Sequence, residues 1–376
     1  MSEIASQNTL QVQNYLRSGK TLENLQEELG IKSTLHPTLP LVNVNYNQIE
    51  SPKTHPIVRE CRALTLDTRD WSVVSKSMNR FFNWGEVADE MDLFDFSNFI
   101  VQTKEDGSLV KLFYFDGRWH TSTRGSFALD SMQGCMITWE EGIQKALGVR
   151  SFVELESQLD PSISYVCEFC SPWNKVVRSY KEPVVYLLTA FQGTNELKPH
   201  EVDALVKSTR LVRPQRFEFK NIQEIQNYIQ QQGTDDPSYE GIVMCDQNFQ
   251  RWKVKSSTYL ALHALKGEGN NIFMPKYLVP FVMTGEESEL LLYYPEVTDA
   301  FNVVKCKVLQ EYARLLETWI EYKDVEGQKE FAQKIIGKTP FTNILFNLRK
   351  FHGQDQSLKD LKKMWRESED KIINLF

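Results

Sequence analysis

A lysine followed by two acids and a glycine, Lys104-Glu105-Asp106-Gly107-Ser108, stands between the apolar run Phe99-Ile100-Val101 and a strand pattern that begins at Leu109. A tight strand-to-strand junction is an unusual place to hold an ammonium group. At its ordinary pKa of ~10.4 a lysine amine is protonated and inert as a nucleophile, and burial or neighbouring cations are what activate it. Such a lysine needs other positive charges near it. Taken alone, a solvated loop lysine beside an Asp-Gly turn explains the same residues, so their meaning depends on their company.

That company begins at Arg251-Trp252-Lys253-Val254-Lys255, where strict alternation puts Lys253 and Lys255 on one strand face and Trp252 and Val254 on the other. Two ammonium groups side by side repel unless something anionic, such as phosphate, lies between them; an exposed strand face gives the same string. Two further strand patterns each carry a carboxylate among apolar neighbours, Glu168 in Tyr-Val-Cys-Glu-Phe-Cys and Glu240 in Tyr-Glu-Gly-Ile-Val-Met-Cys. Buried acids need partners, and a divalent cation, a ribose hydroxyl or a basic side chain would each serve. Arg59 and Arg62 open another strand pattern, and Lys76 and Arg80 precede Phe81-Phe82-Asn83. Phosphate forks and ordinary ion pairs both fit these cations.

The elements that must position these groups are short. Residues 9 to 30 read as a helical lead, with Thr21 as a cap, Leu22, Leu25 and Leu29 on one face and Gly30 as a stop. From about 38 to 262, apolar runs punctuated by turn residues predict strands, the clearest hairpin turning at Asp116-Gly117 and a second beginning at Glu240. Beyond 262 the period is helical: Phe301, Val304, Val308, Tyr312, Leu315 and Trp319 form one stripe. Thr339-Pro340 reads as a cap with a first-turn proline, and Ser357 with Asp360 opens a last helix carrying Leu361, Trp365, Ile372 and Leu375. An α+β domain of antiparallel sheets with flanking helices over 1–262, followed by an all-helical domain over 263–376, is the expected organisation.

With 376 residues, a formal charge of −7 and 41% hydrophobic content, the chain is neither a disordered tail, a disulfide miniprotein nor a uniformly basic coat for nucleic acid. Its densest apolar run, Val184 to Phe191, falls far short of the ~20 residues of a membrane span, and its first residues lack a basic-then-apolar signal pattern, so a cytoplasmic location is expected. Cys167 and Cys170 form the one close cysteine pair. They lie in a buried-strand pattern and read as small hydrophobes rather than as half a zinc site. In the last helices Lys350, Lys359, Lys362, Lys363 and Arg366, with Trp365, offer a basic patch for RNA, although a solvated helix face accounts for them more simply.

As an ordered set these motifs resemble the covalent nucleotidyltransferases that adenylylate a lysine, and within them the phage-type tRNA-repair RNA ligase 1 family. Thr103-Lys104-Glu105-Asp106-Gly107 is similar to the nucleophile motif, Glu60-Cys61-Arg62 and Phe81-Phe82-Asn83 to upstream elements, and Glu168-Phe169, Glu240-Gly241 and Lys253-Val254-Lys255 to the later motifs. The resemblance covers roughly residues 40 to 262. It implies that Lys104 carries AMP, with Asp106, Lys253 and Lys255 in the catalytic set. It also implies that Glu168 and Glu240 hold Mg2+ or Mn2+, and that Arg62, Arg80, Arg124, Glu105, Phe82 and Tyr259 help bind ATP. Arginine stands at 80 and 124 where the family leads one to expect lysine, which keeps phosphate binding safer than any role needing proton loss.

The implied activity is ATP-dependent joining of RNA 5′-phosphate and 3′-hydroxyl ends through a lysine-AMP and an RNA-adenylate, in RNA or tRNA repair, by a monomer without membrane attachment. Two other readings stay open: a GTP-using capping-type guanylyltransferase, which shares the lysine chemistry, and a non-catalytic RNA-binding protein with an idle pocket.

Overall fold

Alternating apolar residues between turn signals build three sheets in the first part of the chain. The computed structural model describes residues 9–132, 135–207, 209–260, 274–350 and 357–376. The chain divides into two compact units, Met1–His263 and Ala264–Phe376. The junction expected near 262 lies outside the described residues.

The helical lead is two helices, Gln11–Arg17 and Leu22–Leu29. Thr21 caps the second by accepting from the Asn24 amide, and Gly30 ends it with a φ of 65°. The first sheet has the order β1 (Ile31–Leu35), β2 (Leu41–Tyr46), β3 (Leu64–Asp67), β4 (Val73–Ser75). The second runs β11 (Asn195–Glu196), β10 (Val184–Gln192), β9 (Ser164–Cys170), β7 (Ser108–Phe115), β8 (Arg118–Thr123). The third runs β12 (Arg216–Phe217), β6 (Phe99–Thr103), β13 (Gly241–Asp246), β14 (Arg251–Lys255), β5 (Phe82–Asn83). Among these strands every pairing is antiparallel except β14 with β5, which is parallel. The β7–β8 hairpin turns at Asp116 and Gly117, both with positive φ, the conformation whose twist matches antiparallel strands.

The described part of the second unit is helical. Its longest helix, Thr298–Tyr322, buries Phe301, Val304, Val308, Leu315 and Trp319 in one cluster with Phe331, Phe341 and Trp365. Two details differ from the sequence expectation. The helix after Thr339-Pro340 starts at Thr342, because the Thr339 hydroxyl accepts from the Phe341 amide and turns the chain first. The last helix is two, Ser357–Arg366 and Glu369–Ile373. Trp365 is also removed from any RNA surface: its ring packs 4.7 Å from that of Phe341 and 5.4 Å from that of Tyr312, inside the core.

A fully buried amine ties the first two sheets together. Lys111 on β7 donates to the Thr65 hydroxyl of β3 at 2.9 Å and to the Ser75 carbonyl of β4 at 3.1 Å. Burial, with the nearby Lys76 charge adding to it, holds the Lys111 pKa well below its ordinary value. The folded state therefore binds fewer protons than the unfolded chain between that depressed value and ~10.4, and stability rises with pH across the window. Denaturant titrations at pH 7 and pH 9 should show wild type gaining on Lys111→Met as pH rises. Parallel pH profiles for the two proteins would show that the amine is not buried uncharged.

Candidate functional site

The loop 104–107 carries the chain from β6 in the third sheet to β7 in the second, and it is held to both. On one side the Lys104 amide donates to the Gly241 carbonyl at 2.9 Å, extending the β6–β13 pairing in which Thr103 lies opposite Ile242. On the other, Gly107 lies so close to β9 that a Cβ there would stand 2.4 Å from the Phe169 carbonyl oxygen and 2.6 Å from the Cys170 sulfur. Only glycine allows that approach.

Lys104 and Glu240 meet because the end of β6 lies beside the start of β13. The amine is 2.8 Å from Glu240 Oε1, and Lys255 Nζ is 3.4 Å from the same oxygen. Glu240 is buried, with 6% of its side chain exposed against 24% for Lys104, so the lysine is the more reachable partner. Gly241, at a φ of 144°, follows directly, and a Cβ on it would come within 2.2 Å of the Val254 carbonyl oxygen. Across β14, Lys253 and Lys255 share one face while Trp252 and Val254 are buried on the other, as alternation requires.

Glu168 on β9 completes the acidic side. Burial pushes its carboxyl up to about 7; Lys104 and Arg62 pull against that, while Glu240 and Asp106 add to it. A carboxyl raised partly by a second carboxylate is what a shared cation site looks like before the cation is counted. Mg2+ is held by one or two carboxylates with the rest of its shell from water and phosphate, and the Glu168 and Glu240 pair suits that donor set. Among the described residues no cluster of three or more His, Cys, Asp or Glu is placed to hold a metal by itself. Cys167 and Cys170 are buried with raised pKa values, set chiefly by burial, as expected of structural thiols.

The cationic side gathers round Tyr46, at the end of β2. The Arg80 guanidinium lies 4.1 Å from its ring centroid and that of exposed Arg124 lies 5.8 Å away. Burial alone would raise the Tyr46 hydroxyl, yet Arg62, Arg124, Arg80 and Lys253 together outweigh it and hold the pKa below its ordinary value. Four cations round one hydroxyl make a phosphate-sized field. Tyr46 went unnoticed in the sequence because a tyrosine ending an alternating strand carries no motif.

The geometry revises three expectations. The charge paired with Lys104 is the carboxylate of Glu240, with Lys255 on the same oxygen, where neighbouring cations were expected to activate the amine, because strand order puts 240 and 104 in contact. Phe82 is 3% exposed and lies beside Trp252 in the core, since β5 pairs in parallel with β14 there. Phe82 still meets the Arg80 guanidinium at 5.6 Å, and Phe81 is the more exposed ring on the cationic side, 5.3 Å from the Arg62 guanidinium and 6.0 Å from Lys253 Nζ. Asp106 works as a clamp: it is buried and accepts from the Tyr259 hydroxyl at 2.8 Å, the Val177 amide at 2.8 Å and the Arg178 amide at 2.5 Å. Glu105 accepts from the Tyr180 hydroxyl at 3.2 Å, and burial raises its pKa. The segment 171–183 thus folds onto the lysine's loop, a partnership between positions some 70 residues apart that no local signal announces.

A lysine paired to a buried acid, a second buried acid on β9, and a row of cations along one strand bring together the residue types that phosphate chemistry requires. Residues 60–260 match the family model described as RNA ligase, and the chain belongs to that family. It is 29% identical over 303 residues to a putative bifunctional polynucleotide kinase/RNA ligase of Autographa californica nuclear polyhedrosis virus, covering 77% of this chain and 42% of that protein. The chain therefore spans less than half the length of that relative. An RNA ligase of Rhodothermus phage RM378 is 22% identical over 340 residues, covering 73% of this chain and 78% of that one. Among solved structures, an archaeal ATP-dependent RNA ligase aligns at 14% identity with a TM-score of 0.46, covering 77% of this chain and 78% of that chain.

Removing the Asp106 carboxylate would leave two backbone amides and a tyrosine hydroxyl without their acceptor. Asp106→Ala should cost about 2–3 kcal/mol of stability in the first unit. Hydrogen exchange at Val177 and Arg178 reads the same event, and unchanged protection there would refute the clamp.

Proposed function

We propose that the chain is an ATP-dependent RNA ligase that joins 5′-phosphate and 3′-hydroxyl RNA ends, with Lys104 as the residue that carries AMP. The observation that carries this reading is the Lys104–Glu240–Lys255 contact at the head of the β14 cation row, in a chain of the RNA ligase family. Lys104 Nζ attacks the α-phosphorus of ATP, an N–P bond forms, and the P–O bond to pyrophosphate breaks. Lys253 and Lys255 neutralise charge on the phosphates, Arg62 and Arg80 hold their far end, and Glu240 directs the Lys104 amine. A 5′-phosphate oxygen of RNA then attacks the same phosphorus, and the N–P electron pair returns to the amine. Finally a 3′-hydroxyl attacks the RNA phosphorus, AMP leaves, and a phosphodiester remains.

Glu240 and Glu168 would hold Mg2+ or Mn2+, whose chemistry when bound is Lewis-acid neutralisation of phosphate charge. Repair of broken RNA, including cleaved tRNA, is the use this chemistry suits. Tyr259 and Glu105 contribute by fixing the loop that bears Lys104 rather than by touching the reacting atoms.

Incubation with labelled ATP or labelled GTP, followed by mass spectrometry, tests the reading. A covalent AMP on Lys104 from ATP is expected, absent in Lys104→Ala and reduced at least tenfold in Glu240→Ala, since a reacting group misplaced by about 1 Å can lose about 100-fold in rate. Label from GTP alone would make the chain a guanylyltransferase instead.

A further inference from the structure

A cavity of about 520 Å³ lies at the other end of β14 from Lys255. Arg251, Lys253 and Lys255 share a strand face, and a rise of ~3.3 Å per residue puts Arg251 about 13 Å from Lys255. The row of cations that starts beside Lys104 therefore leads into this cavity, whose size falls in the usual range for a small ligand.

Its charges do not cancel. Arg59 pairs with Glu90 at 2.5 Å, and Arg251 forks onto Glu196, with Nη1 donating to Oε2 at 3.0 Å. Lys76 and Arg80 remain. Among the described residues Lys76 Nζ donates to neutral acceptors, the Ser77 carbonyl at 3.0 Å and Asn79 Oδ1 at 2.6 Å. Arg80 is 5% exposed, and its buried Nη1 meets no acceptor among the described residues. The buried Lys76 ammonium, with neutral hydrogen-bond acceptors in the cavity wall, leaves positive charge there for an anion.

One wall is aromatic and unusually fixed. Phe249, in the turn between β13 and β14, has a φ of 62°, a left-handed conformation that a bulky residue rarely adopts. Buried Asp246 enforces it, accepting from the Asn248 and Gln250 amides at 2.9 Å each, while its carbonyl accepts from the Phe249 amide at 3.1 Å. Strain held in place at a cavity rim is typical of a ligand clamp. Lys198 Nζ and the Arg251 guanidinium lie 4.7 and 5.9 Å from the ring, adding positive charge to this wall.

We propose that this cavity receives the 5′-terminal nucleoside of the RNA strand to which AMP is passed, its base stacked on Phe249 and the phosphodiester on its 3′ side held by Lys76. The inference rests on the ligase reading above. A strand whose 5′-phosphate reaches Lys104 past Lys255 and Lys253 has its first nucleoside at the cavity mouth. Inorganic pyrophosphate would use the cations but not the ring.

Binding of a fluorescent 5′-phosphorylated RNA oligomer, measured by anisotropy, tests the cavity, and adduct formation from ATP tests the ligase reading separately. Phe249→Ala and Lys76→Met should form the adduct as wild type does yet bind the oligomer about tenfold more weakly, as loss of a base-stacking platform predicts. Phe249→Tyr, which keeps the ring, should bind normally. Normal adduct formation with unchanged oligomer affinity in both truncating variants would overturn the cavity's role and leave the ligase reading intact. Pyrophosphate-driven reversal slowed in Lys76→Met, with oligomer binding untouched, would assign the cavity to pyrophosphate and also overturn it. Absence of any adduct in wild type would strike the ligase reading and, with it, the assignment of the bound strand as the one that receives AMP.

Discussion

One register holds the site together: the pairing of β6, β13 and β14, in which Thr103 lies opposite Ile242 and Gly241 opposite Lys255. Three residues far apart in the chain, at 104, 240 and 255, meet because each stands at a strand end fixed by that pairing. A slip of one residue in β14 would turn Lys253 and Lys255 into the core and Trp252 and Val254 into the cleft. Burial of Trp252 and Val254 therefore guards the orientation of the lysines. Gly241 guards the register at its start, since any side chain there would collide with the Val254 carbonyl.

The electrostatics follow from that geometry. Lys104 and Lys255 would repel if they were left alone, and Glu240 between them makes the arrangement tolerable before any phosphate arrives. Buried ion pairs seldom add net stability, because desolvation offsets their attraction. What keeps this cluster folded is the surrounding neutral structure, with the apolar face of the third sheet beneath it and the Asp106 hydrogen bonds beside it. The acids and cations can be arranged without regard to stability because other groups supply it.

Much of this was legible in the sequence where the signal is local. Alternation gave the faces of β14, Asp116-Gly117 gave the hairpin, and Gly30 and Thr21 gave the ends of a helix. Groups whose meaning depends on distant partners were not legible. Tyr46 is ordinary until four cations from four other segments surround it, and Phe81 and Phe82 cannot be told apart until the parallel partner of β5 is known. Trp365 looks like an RNA contact on a basic helix until Phe341 and Tyr312 are seen to cover it. In each case the missing information was which strand or helix lies opposite, which local pattern does not encode.

The same reasoning explains how a loop can carry Lys104, the proposed nucleophile, without the looseness of a loop. Only four residues separate β6 from β7, and every side of the connection is occupied: Lys104's amide by Gly241, Asp106 by Tyr259 and the 171–183 segment, Gly107 by the backbone of β9. The backbone is thus held as a strand would be, and the motion left to Lys104 is that of its own side chain. A tethered amine on a rigid base suits a group that must meet one phosphorus and release it to another, since the reacting atoms stay close while only side-chain torsions change. The positions of Asp106 and Gly107 are therefore as much a part of the lysine's chemistry as the charges around it.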